Sequence, residues 1–237
     1  VSYPLLVSLH PFLLDEGGWE SYSRLGEQAA LRGYWVLTPR GSDPGPRWSV
    51  PGGLDYGIDD IAWVDDLIVA TASTVCVDRS RIFAAGFSAG AAMAVGMSCE
   101  LPWRYRAIAA SGGSNLTSRC PGVAPVDALI LHGTADPIAP PNGQTLDFLP
   151  PQGISVDSVV STFAERNGCV GSPASVVKTP SVTAQVYSCG SHRVEYWPMN
   201  GAGHTWAGAA FPLDLVTGPT DTSFSATATA LDFFDAS

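Results

Sequence analysis

The stretch RIFAAGFSAGAAM, residues 81–93, restricts the fold more than any other part of this chain. Residues 81–87 read as a buried strand that breaks at Gly86-Phe87-Ser88-Ala89-Gly90 and passes at once into an alanine-rich helix. A strand that turns so sharply into a helix throws its central side chain above the edge of the sheet. Only the smallest residues then fit two positions before and two after it, and Gly86 and Gly90 satisfy that demand. Gly, Ser and Ala also meet in turns with no chemistry. Ser88 is therefore a candidate nucleophile whose partners must be found elsewhere in the chain.

Around this segment, strand-like apolar runs alternate with amphipathic helical ones, the pattern of a mainly parallel sheet covered by helices on both faces. Strands are expected over 5–10, 34–39, 81–87, 107–111, 128–133 and 193–199, with a further one in VTAQVYSC, residues 182–189. Helices are expected near 20–32, 58–75, 89–100, 154–166 and 223–235. The Pro/Gly-rich stretches 41–53, 137–144 and 149–153 read as loops, because each is short and flanked by elements of the same sheet. A chain of 237 residues without internal repeats then makes one domain, 1–237. Ligands of open α/β sheets bind beyond the carboxyl ends of the strands, so the loops that follow the strands carry the function.

Composition narrows the partners. Apolar residues make up 46% of the chain and charged ones 14%, and no apolar run reaches the length of a bilayer span. A formal net charge of -10, with Lys178 as the only lysine, repels a phosphate backbone and leaves no basic amphipathic segment for an anionic membrane. Neither nucleic acid nor membrane is an expected partner. The five cysteines show no Cys-x-x-Cys spacing, which argues against a zinc or iron-sulfur site and for disulfides in an oxidising, extracellular compartment, free core thiols being the other reading. The helix after Ser88 runs back to the far end of the sheet, which suggests Cys76 with Cys99. Cys169 with Cys189 would pin the strand 182–189. Cys120 is left unpaired in that scheme, or takes Cys99 instead.

A serine hydroxyl needs a base, and the base needs a partner to fix its tautomer. Of the four histidines, His10 and His132 fall in or at the ends of strands and read as structural, and His192 sits where a strand starts. His204 lies in the Gly-rich loop MNGAGHTWAG after the last strand and is the expected base. For the acid, ILHGTADPIAP places Asp136 three residues past a buried strand. Asp127 falls at the wrong end of that strand, Asp147 and Asp157 lie in or near helical stretches, and Asp214 follows the histidine instead of preceding it. An oxyanion needs two backbone donors. Ala89 supplies one, and because Pro11 has no N–H, Phe12 is the candidate for the other. Trp48, in the 41–53 loop, either walls a cleft with its ring or caps the core.

The segments SLHPF, CVDRSRIFAAGFSAG, LHGTADP and GAGHTWAG, in that order, resemble the extracellular α/β-hydrolases that include polyhydroxybutyrate depolymerases and feruloyl esterases. The resemblance runs from about residue 5 to 235. It implies the α/β-hydrolase fold, without the strand or two that usually precede this point, and a triad of Ser88, Asp136 and His204. It also implies Trp206 as a wall of the acyl-binding cleft. Members usually carry His-Gly where this chain has His10-Pro11.

The resulting expectation is a secreted serine esterase that works through an acyl-enzyme and needs neither metal nor organic cofactor. Its substrates would be feruloyl-type or related esters. A polyester depolymerase is the neighbouring alternative, and a non-catalytic binding module or an acyltransferase on the same fold the alternatives of another class.

Overall fold

The computed structural model describes residues 1–12, 14–42, 45–143 and 153–237. Its centre is an eight-stranded sheet: β1 (Tyr3–Leu9), β2 (Trp35–Leu37), β3 (Val77–Phe87), β4 (Ala107–Ser111), β5 (Asp127–Gly133), β6 (Val170–Thr179), β7 (Val182–Cys189) and β8 (His192–Met199). The spatial order is β2-β1-β3-β4-β5-β8-β7-β6. Pairing is parallel from β2 through β8 and antiparallel for β8-β7 and β7-β6.

Alternation of side chains across each strand feeds two cores. In β1, Leu5, Val7 and Leu9 enter one and Leu6 enters the other. The first core is closed by α3 (Asp60–Thr74), α4 (Ala89–Glu100) and α5 (Val156–Arg166); the second by α1 (Glu16–Ser23), α2 (Leu25–Leu31) and α7 (Ala226–Asp235). A short helix, α6 (Asp214–Thr217), precedes α7. Every residue of α4 from Ala89 to Cys99 is buried, which explains why it is built of Ala, Gly, Met and Val with no charge before Glu100.

Where sequence and structure differ, the cause is local. The helix expected over 20–32 is two helices, because Arg24 takes a left-handed conformation (φ 54°) that ends α1 and starts α2. Residues 170–179 carry Gly, Ser and Pro with no apolar alternation, yet they form β6, an edge strand exposed along most of its length and held by backbone pairing to β7.

Two disulfides form, Cys99–Cys120 and Cys169–Cys189, and Cys76 is free and exposed. The expected Cys76–Cys99 bridge is thus corrected in favour of the alternative for Cys120. The chain leaving β4 returns beneath the last turn of α4, with Gly122 against the Cys99 carbonyl, while Cys76 is held at the start of β1 by the Tyr3 N–H to its carbonyl. Arg166, at the end of α5, braces the first bridge by donating to the carbonyls of Ser98 and Ala124.

Candidate active site

Ser88 joins β3 to α4 with φ 55° and ψ -121°, one of two non-glycine residues with positive φ among those described. Such a backbone stores strain on the order of 1–3 kcal/mol and persists only where the surroundings dictate it. The surroundings here do. The Ser88 N–H donates to the Ser111 carbonyl at the end of β4, and its own carbonyl accepts from Ala91 and Ala92 in the first turn of α4. A Cβ on Gly86 would run into the Gly90 carbonyl, and one on Gly90 into the carbonyls of Leu9 and His10. The second of those contacts also sets the end of β1 directly against the first turn of α4.

Asp136 sits in the turn after β5. Its Oδ1 accepts from the N–H groups of Ile138 and Ala139, each at 2.8 Å, and its Oδ2 from His204 Nδ1 at 2.8 Å. A carboxylate in this setting only accepts, so the His204 proton is on Nδ1 and the Nε2 lone pair is free to act as a base. The His204 main chain is fixed by a hydrogen bond of 2.6 Å from its N–H to the Thr217 carbonyl, and its ring lies on that of Phe87, with centroids 4.9 Å apart. The His204 ring thus lies against Phe87, the residue before Ser88. Among the described residues, Ser88 Oγ and His204 Nε2 share no hydrogen bond. In unliganded enzymes such bonds are often long and tighten on substrate.

The other expected residues divide. The Ala89 N–H opens α4 and has no backbone acceptor among the described residues, as befits the first residue of a helix. Phe12 is 45% exposed just beyond His10, on the segment that abuts α4. Trp48 and Trp206 do not wall a cleft: both are 0% exposed. Trp48 stacks on the His10 ring at 4.7 Å and donates from Nε1 to the His10 carbonyl. Trp206 packs edge-on against Trp19 and donates from Nε1 to Thr227 Oγ1 in α7. Each indole lies under an active-site loop and ties it to the core, a role that a Trp in a loop sequence does not disclose.

His10 is likewise a brace. Its Nδ1 donates to the Pro11 carbonyl and its Nε2 accepts from the Gly41 N–H, which requires the neutral ring. Burial pushes its pKa down, against the pull of Glu16 and Asp15. Asp60, the first residue of α3, is turned inward. It is buried and accepts from Ser42 Oγ and the Ser49 N–H, holding the loop that carries Trp48. His192 pairs with Asp127 at the opposite end of the sheet, and Asp214 accepts from Thr220. Asp147 lies outside the described residues. Among the described residues no cluster of three or more His, Cys, Asp or Glu side chains could hold a metal ion.

Comparison with known proteins places this chain beside esterases. A family model described as phospholipase/carboxylesterase matches residues 58–145, the stretch from α3 through the Asp136 turn. Feruloyl esterase B of Piromyces equi is 30% identical over 226 residues, which span 90% of this chain and 41% of that protein. Feruloyl esterase C of Emericella nidulans is 30% identical over 166 residues, 66% of this chain and 56% of that protein. The chain therefore spans about half the length of these curated relatives. Among solved structures, an acetyl xylan esterase from Aspergillus awamori superposes with a TM-score of 0.66 at 15% identity, covering 100% of this chain and 90% of the other. A Bacillus cereus carboxylesterase gives 0.62 at 15% identity, with 99% and 89% covered. At that identity the superpositions speak for the fold alone.

Proposed function

We propose that residues 1–237, which share their fold with known esterases, form one catalytic domain of a secreted serine esterase acting on feruloyl-type esters. The observation that carries the reading is the 2.8 Å bond between His204 and Asp136, set beside a serine with φ 55° at the mouth of a buried helix. His204 Nε2 takes the Ser88 proton as Oγ attacks the ester carbonyl. The N–H groups of Ala89 and Phe12 hold the oxyanion. Collapse expels the alcohol, which leaves with the proton from His204, and water then attacks the acyl-enzyme by the same route to release the acid.

The feruloyl preference rests on the names of the curated relatives. Two disulfides support an oxidising compartment, and no described helix is long and apolar enough to cross a membrane. The second reading, hydrolysis of a solid polyester, is favoured by one feature. Phe211, Leu213, Leu215 and Val216 are all exposed, on the segment whose Thr217 carbonyl holds His204.

The substitution Ser88→Ala tests the mechanism. Release of ferulate from methyl ferulate should fall at least about 10³-fold and labelling by a fluorophosphonate should disappear, with the fold intact by circular dichroism. Retained turnover would show that another group is the nucleophile.

A further inference from the structure

His132 is one residue from the end of β5, fully buried, and the sequence gives it only a structural place. Its Nε2 lies 2.7 Å from the Ala139 carbonyl and 3.4 Å from Asp136 Oδ2. A carbonyl can only accept, so the ring carries its proton on Nε2. Burial, the strongest influence on this imidazole, holds its pKa below the ordinary value and keeps it neutral despite the nearby carboxylate. That N–H therefore donates to the carbonyl that closes the Asp136 turn, and the oxygen that His204 uses lies 3.4 Å from the same nitrogen. Among the described residues the other ring nitrogen, Nδ1, is buried with no partner. Packing alone does not account for such a ring, because an aliphatic side chain would fill the space without leaving a polar atom unpaired.

We infer that His132 is a positioning residue for the acid: its Nε2–H fixes the 136–139 turn and the plane of the Asp136 carboxylate, so that Oδ2 is aimed at His204. Asp136 then accepts directly from three donors, and His132 fixes the turn that carries two of them. Two main-chain N–H groups hold Oδ1 and His204 holds Oδ2, while His132, 3.4 Å from Oδ2, pins the Ala139 end of the turn. A carboxylate seated in this way cannot rotate out of line as the imidazolium forms and decays. The inference rests on the esterase reading above, since it assigns a role within that triad.

Glutamine can place an amide N–H near the position of the ring Nε2, whereas asparagine reaches only the neighbourhood of Nδ1. His132→Gln should therefore keep most of the activity. His132→Asn, equally polar and smaller, should lower kcat by about 10- to 100-fold, the cost of a reacting group displaced by roughly 1 Å, with KM changed less than about twofold. The rate of fluorophosphonate labelling of Ser88 should fall in parallel. In an Asp136→Ala background the His132→Asn change should cost less than about twofold, because it acts through a group already removed. Equal losses for the Gln and Asn variants, or the same Asn penalty with and without Asp136, would overturn the inference. A wild-type protein inert to both methyl ferulate and the fluorophosphonate would instead sink the esterase reading itself. Should His132→Asn fail to fold, the Gln variant still decides: a loss of 10-fold or more in kcat in folded His132→Gln contradicts the assigned role.

Discussion

His10 and His204 are both imidazoles near the Ser88 elbow, yet opposite demands are placed on them. His204 keeps Nε2 free, while both nitrogens of His10 are spent, one on its neighbour's carbonyl and one on the Gly41 N–H. Protonating His10 destroys the second bond. Because burial lowers its folded pKa beneath the unfolded value of about 6.5, the unfolded chain binds the proton first. The stabilising effect of His10 is therefore complete above about pH 6.5 and is lost as pH falls from there through the lowered folded value. The same sign holds for His132. The melting temperature should drop between pH 7.5 and 5, and His10→Gln, which cannot titrate, should show a shallower drop. An unchanged slope would mean that the ring is not held neutral.

At the scale of elements, α4 was legible to the residue. Its run of small side chains after Ser88 admits no other element, and the glycines at 86 and 90 mark its approach to β3 and β1. The positions of the Asp136 turn and the His204 loop were legible too, each directly after a buried strand, and the two side chains do meet. β6 was not, since backbone pairing, not side-chain burial, makes it a strand. Nor were the roles of the two indoles, which depend on partners 21 and 38 residues away in sequence, Thr227 and the His10 carbonyl. The cysteine pairing turns on which loop passes under α4, and sequence left that open. The pairing gives a direct check: iodoacetamide should label one thiol of the native protein, Cys76, and all five after reduction and unfolding. Cys120→Ser should cost about 2–4 kcal/mol of stability in denaturant unfolding, while Cys76→Ser should stay within about 0.5 kcal/mol.

The whole molecule offers a strongly anionic surface on which one apolar strip stands out. Leu215 is 104% exposed and Val216 is exposed beside it, with Phe211 and Leu213 partly so, next to the loop that carries His204. A net charge of -10 opposes adsorption to anionic surfaces, so attachment to a solid would fall to these side chains. If the substrate is a polyester particle, the double change Leu215→Asp/Val216→Asp should reduce clearing of a polyhydroxybutyrate suspension by 10-fold or more and leave methyl ferulate turnover within about twofold, since 60–70 Å² or so of apolar contact per side chain is worth roughly 1.5 kcal/mol. Equal effects on both substrates would argue against a surface-anchoring strip.

The sulfur bridge between Cys99 and Cys120 closes a covalent ring that runs from the foot of the helix Ser88 leads into, out through β4, and back. The oxygen that receives the Ser88 N–H, on Ser111, belongs to that ring. A protease cutting anywhere between Leu101 and Arg119 would leave the severed ends tethered, and the serine would keep company with the strand that orients it.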